Sequence, residues 1–475
     1  MSIFGQGIYL IQGTANIVAT LRQRDLSAFT LHEYILRHVF GLPLEALRTY
    51  EADDSGGDIT PNVHSGVEPR NRVEFHTIGS VRRYLHGPGV THLSRTFEND
   101  ITNRLFYLPI GGDWVRRDDF LDLFNKEITR SVIDSLCGKH LTQQHPGFID
   151  NLWELDNGVW KLLLRFPRFL AHGTYAARDS AILAIRDWHS SAAGNFDPVY
   201  IDEVGNDPFW GSQFFRDRQK MFQDMDGFNA DAIASQDLAF VWGAINNVIA
   251  TAFWVTLEVF RGSILLGLIR SEVRSCLIYS EKTPGIRGPT FDITRLVQQS
   301  FLQAAYAETL RLRVNGFFLW RVPHHDIDIR GWQIRQNHYV ATSPTPGHMD
   351  PTIWCTDDNA GHPVEEFYVG RWVKSMSSPA GLPVKSDTSS AQVQFTTEFA
   401  RGAWIPFGGG YHSCPGRRFA KIMVALTAAL LVTMYDCEFL SNVEEVGMSM
   451  RTFGFGTLGP DRKVPVRMRR RVTSA

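Results

Sequence analysis

The chain has 475 residues, of which 44% are hydrophobic and 21% are charged, and its formal net charge at pH 7 is −2. This near-neutral balance excludes a globally basic nucleic-acid binder, and the apolar content is enough for one large core or for two to three smaller ones. The five cysteines form neither a CxxC pair nor a regular disulfide framework. Their arrangement favours a reducing compartment.

The N-terminal stretch MSIFGQGIYLIQGTANIVATLRQRD contains Gly, Gln and Asn within its apolar runs. These runs are too short to cross a bilayer and do not resemble a secretory signal. We therefore expect the chain as given to be soluble. The strand-like runs GIYLIQG and NRVEFHTIG, with the turn DDSGGD between them, predict a small β-rich lobe over residues 1–90.

Helical periodicity follows in the later part of the chain. Apolar residues at helical spacing predict a helix over residues 118–136 and a long helix over residues 236–260. Asp292 is placed to cap a further helix that continues to residue 313. Residues 419–440 predict a buried core helix, since their wholly apolar portion is too short to span a membrane.

These elements predict a mainly α fold with a minor β region. We find no repeat and no linker, apart from a Ser/Pro/Gly-rich stretch at Ser375–Ser390 that is typical of a surface loop. The sequence therefore favours a single domain over residues 1–475, in which residues 91–475 form a mainly helical lobe.

The segment PFGGGYHSCPGRRFA surrounds Cys414 with glycines and is followed at once by an apolar run. Glycines allow sharp turns, and a helix that begins just after Cys414 would direct N–H groups and a positive dipole end at the sulfur. This pattern predicts a thiolate. A buried structural cysteine is the simpler alternative.

A second pattern places Glu308 and Arg311 three residues apart, on one face of a predicted helix. Such a pair is most often a solvated surface ion pair. Arg371, in the irregular stretch PVEEFYVGRWV, is placed where it could reach the same carboxylate.

The order and spacing of these pieces resemble the cytochrome P450 family, whose heme-binding loop is F-x-x-G-x-[R/H/K]-x-C-x-G. The matching residues are Phe407, Gly410, His412, Cys414 and Gly416. The resemblance implies a P450 fold that binds heme b (iron protoporphyrin IX) between the long central helix and the cysteine loop, with Cys414 as the iron ligand. It also implies that His412 and Arg321 contact the heme propionates.

The family's E-x-x-R pair matches Glu308 and Arg311, and its later F-x-P-x-R-[FW] segment matches Phe367, Arg371 and Trp372. Gly370 departs from the acidic or polar residue that is usual in that segment. The resemblance implies that Glu308, Arg311 and Arg371 form a structural network and perform no chemistry. The W-x-x-x-R pattern that often supplies further heme contacts is absent before Asp118.

In the central helix, most family members carry A-G-x-[DE]-T, where the acid and the threonine are associated with proton delivery. Here Asn246 and Asn247 replace both residues. An amide can orient oxygen but cannot supply a proton by ionising, so protons would have to come through water or through Thr251. The alternative is that Asn247 merely bonds to the preceding helical turn.

The asparagine and the following Ala252, Phe253 and Trp254 are similar to the subgroup that contains cholesterol 7-alpha-hydroxylase and prostacyclin synthase. Some members of this subgroup hydroxylate sterols with dioxygen, and others rearrange an endoperoxide. Two activities therefore stay open. One is a monooxygenase for an apolar terpenoid, sterol or other secondary metabolite, with electrons from NADPH through NADPH-cytochrome P450 reductase. The other is a reductase-independent isomerase or dehydratase that acts on a peroxide.

A non-enzymatic heme carrier is a third and more distant alternative. The features are most similar to fungal members that tailor secondary metabolites. By comparison with the family pattern, we expect that the chain starts late, without the usual membrane anchor. The resemblance implies attachment to the cytosolic face of the endoplasmic reticulum membrane only where such an anchor exists.

Overall fold

The computed structural model describes residues 2–3, 6–278, 287–356, 359, 361–375 and 393–471. Helices form most of this part of the chain. The α-helices are α1 (Thr14–Leu21), α2 (Phe29–His38), α3 (Leu44–Ala52), α4 (Val73–His86), α5 (Gly89–Phe106), α6 (Leu121–Leu123), α7 (Thr129–Cys137), α8 (Lys139–Gln144), α9 (Phe148–Leu163), α10 (His172–Asn195), α11 (Gln213–Gln223), α12 (Ala230–Arg261), α13 (Ser263–Ser275), α14 (Ile293–Leu296), α15 (Ser300–Arg313), α16 (Thr345–His348), α17 (Pro351–Trp354) and α18 (Arg417–Met434).

The strands are short and most of them come from the second half of the chain. They are β1 (Ser2–Ile3), β2 (Gln6–Leu10), β3 (Val115–Arg117), β4 (Val314–Gly316), β5 (Phe318–Arg321), β6 (Ile327–Ile329), β7 (Trp332–Ile334), β8 (Tyr339–Thr342), β9 (Val373–Ser375), β10 (Val393–Phe395), β11 (Tyr435–Phe439), β12 (Phe455–Thr457) and β13 (Val466–Arg470). This mainly α architecture with small sheets confirms the predicted fold class.

The 32-residue helix α12 is the centre of the molecule. It begins where the side chain of Asn229 accepts a hydrogen bond from the N–H of Ala232, which satisfies one of the free donors at the helix start. It packs against α10, α15 and α18. Within the described residues, α12 is also the helix that is long and apolar enough to cross a membrane, but 61% of its most apolar window is buried inside the protein.

The predicted core helix over residues 419–440 is shorter than expected. Helix α18 ends at Met434, and strand β11 follows and pairs with β13. The guanidinium of Arg270 donates to the carbonyls of Val432 and Tyr435, each at 3.1 Å. These bonds satisfy carbonyls at the helix end, so the chain can change direction there without burying a free acceptor.

The small sheet joins the start of the chain to its middle, because its strand order is β1-β2-β8-β5 and β2 runs parallel to β8. The described part of residues 1–90 otherwise contains helices α1 to α4 and the first residues of α5, so the sheet is not a property of that segment alone. The prediction of a strand at NRVEFHTIG was wrong, since residues 73–79 lie in α4. Alternation over so few residues fits a helix as well, and here Val73 and Leu85 are buried residues of α4.

Helix predictions elsewhere were confirmed with local changes. Residues 121–137 are continuously helical, with a π-helical segment at Phe124–Ile128. Asp292 caps α14 by accepting from the N–H of Arg295, but the helix then breaks and restarts as α15. The predicted surface loop at Ser375–Ser390 lies outside the described residues, apart from Ser375 at the end of β9.

The restart of α15 depends on a buried carboxylate from a neighbouring helix. The two oxygens of Glu272, on α13, accept the N–H groups of Phe301 and Leu302 at 2.8 and 3.0 Å. These N–H groups belong to the first turn of α15, where no carbonyl of the same helix is available to them. Glu272 therefore caps α15 from outside.

We predict that Glu272→Ala lowers the free energy of unfolding by about 1–3 kcal/mol, because it leaves buried N–H donors without an acceptor. Urea unfolding followed by circular dichroism measures this change. Glu154→Ala, which removes an exposed carboxylate from α9, is the matched control. Equal stability of the two variants would contradict the capping role.

Candidate functional site

The cysteine loop has a backbone that only glycine adopts easily at two of its positions. Gly408 and Gly410 have φ angles of 68° and 55°, in the left-handed region. A Cβ atom on Gly410 would lie 2.1 Å from the carbonyl oxygen of Leu21, so this glycine also allows the loop to approach the segment after α1. The N–H of Cys414 donates to the carbonyl of Phe407 at 2.9 Å, which closes the loop.

The start of α18 lies directly after the cysteine, with Gly416 as its N-cap and Arg417 as its first residue. Cys414 is an exposed residue, yet protein atoms surround the thiol closely enough for burial to raise its pKa. The N–H groups of Gly416 and Arg417 and the charge of Arg417 act in the opposite direction. The helix begins where the sequence predicted, but the effect of burial on the pKa of Cys414 is larger than that of the helix start. The loop alone does not favour the thiolate. A metal ion at the sulfur would, since a coordinating thiol loses its proton.

A buried ion cluster lies behind this loop. The guanidinium of Arg311 donates to both carboxylate oxygens of Glu308 at 2.8 Å, and the Nε of Arg371 donates to one of them at 3.3 Å. All three side chains are 0% exposed. The structure therefore brings together the three residues that the sequence predicted as a network, and the surface ion-pair alternative does not apply to them.

Neighbouring groups complete the hydrogen bonding of Glu308. The indole N–H of Trp372 donates to one oxygen at 2.8 Å, and the backbone N–H of Tyr368 donates to the other at 3.1 Å. A Cβ atom on Gly370 would lie 2.3 Å from the ring of Tyr368. Any larger residue at this position would require the ring of Tyr368 to move.

His348 connects the ion cluster to the cysteine loop, and no sequence motif pointed to it. Arg311 donates to the carbonyl of His348 at 2.9 Å, and the Nδ1 of His348 lies 3.1 Å from the carbonyl of Arg311. The Nε2 of the same ring accepts the N–H of Ile405 at 3.2 Å. Burial lowers the pKa of His348 to about 3. The ring is therefore neutral, donates through Nδ1 and accepts through Nε2.

The two predicted propionate contacts have other partners in the structure. The Nε2 of His412 lies 3.0 Å from the carbonyl of Gln23 and donates to it, because a carbonyl can only accept. Burial lowers the pKa of His412, so the ring is neutral near pH 7 and its second nitrogen carries no proton to donate. The guanidinium of Arg321, on β5, donates to the side chain of Asn337 at 2.8 Å.

Arg82, on α4, is a cation at the loop that the sequence did not predict. Its guanidinium donates to the carbonyl of Tyr411 at 2.6 Å and lies 4.8 Å from the centre of the Tyr411 ring. The sequence lacks the W-x-x-x-R pattern that would have pointed to a cation here, so the motif search missed this residue.

On α12, Gly243 is exposed in the middle of an otherwise largely buried helix, and a Cβ atom there would meet nothing within 4 Å. A planar cofactor bound between α12 and α18 needs open space at the centre of α12. It also needs an accessible thiol at the start of the adjacent α18. The residues present therefore fit a heme with Cys414 as its ligand.

Asn247 is bound across to strand β12, which neither sequence alternative anticipated. Its side-chain oxygen accepts the N–H of Thr457 at 2.7 Å, and its side-chain nitrogen donates to the oxygen of Asn246 at 2.8 Å. A Cβ atom on Gly456 would lie 2.1 Å from the same Asn247 oxygen, so glycine is needed there. The hydroxyl of Thr251 donates to the carbonyl of Asn247 and lies 3.1 Å from the hydroxyl of Thr457.

Comparison with known proteins gives a consistent result. A family model described as cytochrome P450 matches residues 207–466. Cytochrome P450 monooxygenase fsoE of Humicola fuscoatra is 27% identical over 483 aligned positions, which cover 98% of this chain and 79% of the relative. Cytochrome P450 monooxygenase efuG of Hormonema carpetanum is also 27% identical, over 98% of this chain and 82% of the relative.

A mammalian relative matches a shorter part of the chain. The 25-hydroxycholesterol 7-alpha-hydroxylase of Rattus norvegicus is 25% identical over 262 positions, which cover 54% of this chain and 58% of the relative. The fungal relatives are therefore similar over nearly the whole chain and the mammalian one over about half.

We predict that Glu308→Ala yields little heme-loaded protein. The substitution leaves the guanidinium groups of Arg311 and Arg371 buried without their carboxylate, and breaking a buried pair in this way costs about 3–5 kcal/mol. Heme absorbance per polypeptide and urea unfolding measure the two effects. Glu365→Ala, which removes an exposed carboxylate from the same region, is the control. Normal heme content with a selective loss of turnover would refute a purely structural role.

Proposed function

The chain belongs to the cytochrome P450 family, and we propose that it inserts one oxygen atom of dioxygen into an apolar small molecule with electrons from NADPH. The electrons come from a separate protein, NADPH-cytochrome P450 reductase. The chain is an oxidoreductase of the P450 monooxygenase type, as its relatives over nearly the full length are. The proposal concerns the form of its heme, its electron donor and its substrate.

The geometry of Cys414 is the observation that carries this proposal. The thiol is accessible, it stands at the start of α18, and the N–H groups of Gly416 and Arg417 lower its pKa against the effect of burial. These features support a heme b bound through the sulfur. When bound, heme would activate dioxygen. An anionic sulfur ligand favours cleavage of the O–O bond.

The chain's own residues hold this site in place. The ion cluster of Glu308, Arg311 and Arg371 fixes the segments behind the loop and lies too deep to contact a substrate. His348 accepts a hydrogen bond from the N–H of Ile405, just before the loop, and so links the loop to the cluster. Arg82 stays near Tyr411 on the other side of the loop, and its remaining N–H donors support a role as a propionate partner.

The relatives support an apolar substrate of the sterol or terpenoid class. The name of the rat relative specifies hydroxylation of 25-hydroxycholesterol. The fungal relatives are monooxygenases in their names, and a secondary metabolite as the substrate is proposed on family resemblance alone. The proposal includes a place at the cytosolic face of the endoplasmic reticulum, on family resemblance alone.

We predict that the reduced, carbon monoxide-bound protein has the red-shifted Soret band of thiolate ligation. Cys414→His should lose this band because imidazole replaces the sulfur. Cys355→Ser, at a cysteine whose thiol donates to the carbonyl of His362, should keep the band and is the control. A Cys414→Ser protein that retained the band would disprove the ligand assignment.

We predict that product formation requires NADPH, the reductase and dioxygen together, and that the product gains one labelled oxygen atom from ¹⁸O₂. Mass spectrometry after turnover with a panel of sterols and terpenoids measures the label. The same heme could instead serve a reductase-independent isomerase, since Asn246 and Asn247 leave no ionisable side chain at those two positions. Product that accumulates without oxygen or reductant from a peroxide substrate would establish that isomerase activity and overturn the monooxygenase proposal.

A further inference from the structure

A polar cavity of about 230 Å³ lies against α12 on the side that carries Asn246. Its walls come from α9, α12, the start of the helical segment at residues 121–125, and residues 449–461 near the C-terminal end. A cavity of this size and polarity has room for several water molecules, since a single water needs only about 10–15 Å³ by the same kind of measure.

Asp156, on α9, places a carboxyl group in the wall of this cavity. One of its oxygens accepts the indole N–H of Trp242, on α12, at 2.9 Å. Burial raises the pKa of Asp156 to about 6, and the bond from Trp242 acts in the opposite direction. A carboxyl group with such a pKa exchanges protons near neutral pH, as a general acid requires.

The same cavity is connected to the interior face of α12 by hydrogen bonds. Asn246 lines the cavity and accepts from the side chain of Asn247, whose own oxygen accepts from Thr457. The hydroxyl of Thr457 lies 3.1 Å from that of Thr251. Hydroxyl groups and water can pass a proton along, whereas the two amides can only orient their neighbours.

We propose that Asp156 is the proton donor of this enzyme, and that it takes over from α9, through water in the cavity, the role that an acid on the central helix performs in most family members. The inference rests on the proposed monooxygenase function. It assigns to Asn246, which lines the cavity, the positioning of that water rather than any ionisation.

The overall reaction sets what Asp156 must deliver. A substrate RH, dioxygen, two electrons and two protons give ROH and water, so one C–H bond and the bond of dioxygen break, while a C–O bond, the O–H bond of the alcohol and the two O–H bonds of water form. The electrons come from NADPH through the reductase. Asp156 gives a proton toward the oxygen atom that leaves as water, and it regains one from the cavity water.

The elements around the cavity contribute two other charged groups to its walls, Arg451 and Asp461, both from the C-terminal segment. Asp461 is paired with Arg462 at 2.9 Å, and the hydrogen bond from Arg462 lowers its pKa. It is therefore ionised near neutral pH and is not a proton donor there. This leaves Asp156 as the titrating group of the described cavity walls.

The test compares the heme-loaded wild type with Asp156→Asn, an isosteric change that keeps an acceptor for Trp242. We expect the ratio of product to hydrogen peroxide to fall about tenfold or more, because proton delivery by a positioned acid contributes at least that much. Substrate affinity, from binding difference spectra, should not change. In the wild type the ratio should also fall as the pH rises above about 6, where Asp156 loses its proton, and this pH dependence should be absent in Asp156→Asn.

A second readout does not depend on turnover. Difference infrared spectroscopy of the heme-loaded protein should detect a protonated carboxyl group that titrates near pH 6, and Asp156→Asn should lack this band. Glu154→Gln, which removes an exposed carboxylate two residues away on α9, is the matched control and should keep both the band and the product ratio. The double variant Asp156→Asn with Asn246→Asp should regain part of the lost ratio, because it returns an acid to the central helix.

An unchanged product ratio in Asp156→Asn would overturn the inference even if the band disappeared. Weaker substrate binding with an unchanged ratio would also overturn it, and would make the cavity a subsite for a substrate group instead. If the wild type itself forms no oxygen-labelled product, the monooxygenase proposal fails first, and the inference fails with it.

Discussion

The burial of one carboxylate between two guanidinium groups is the interaction on which the heme-binding side of this protein depends. Removing Glu308, Arg311 and Arg371 from water is costly, and their mutual attraction compensates for this only if every remaining donor and acceptor is satisfied. Glu308 meets that condition, since it also accepts hydrogen bonds from Trp372 and from the backbone of Tyr368. The cluster therefore has one arrangement, and any displacement of its parts leaves a buried charge without a partner.

The cysteine loop is ordered by this cluster and by two further contacts, and not mainly by its own apolar residues. The neutral ring of His348 donates to the carbonyl of Arg311 and accepts from the N–H of Ile405, so it links the cluster to the loop. Gly410 lies against the carbonyl of Leu21, and Tyr411 accepts from Arg82. A loop that is held from three sides can keep a partly accessible thiol in a fixed position, which is what a metal ligand needs.

Features that depend on short sequence separations could be predicted, and features that depend on distant contacts could not. The start of α18 after Cys414, the capping by Asp292, and the pairing of Glu308 with Arg311 all follow from spacings of a few residues. The bond between Asn247 and Thr457 joins residues 210 positions apart, and no local pattern announces it. His412 is a similar case. Its position in the motif could be read from the sequence, but its hydrogen bond to the carbonyl of Gln23, which uses its one N–H donor, could not.

The hydrogen bonds of Asn247 limit the part that the central helix can play in proton delivery. The side-chain oxygen already accepts from Thr457 and the nitrogen already donates to Asn246, so this amide fastens α12 to β12 and has limited capacity to orient oxygen directly. An acid in place of Asn246 would bring an ionising group, which the amide does not supply. The amides therefore favour a fixed connection between helix and strand over proton exchange. In the proposed monooxygenase, protons then come through water, and α9 carries an ionisable group, Asp156, at the wall of the adjoining cavity.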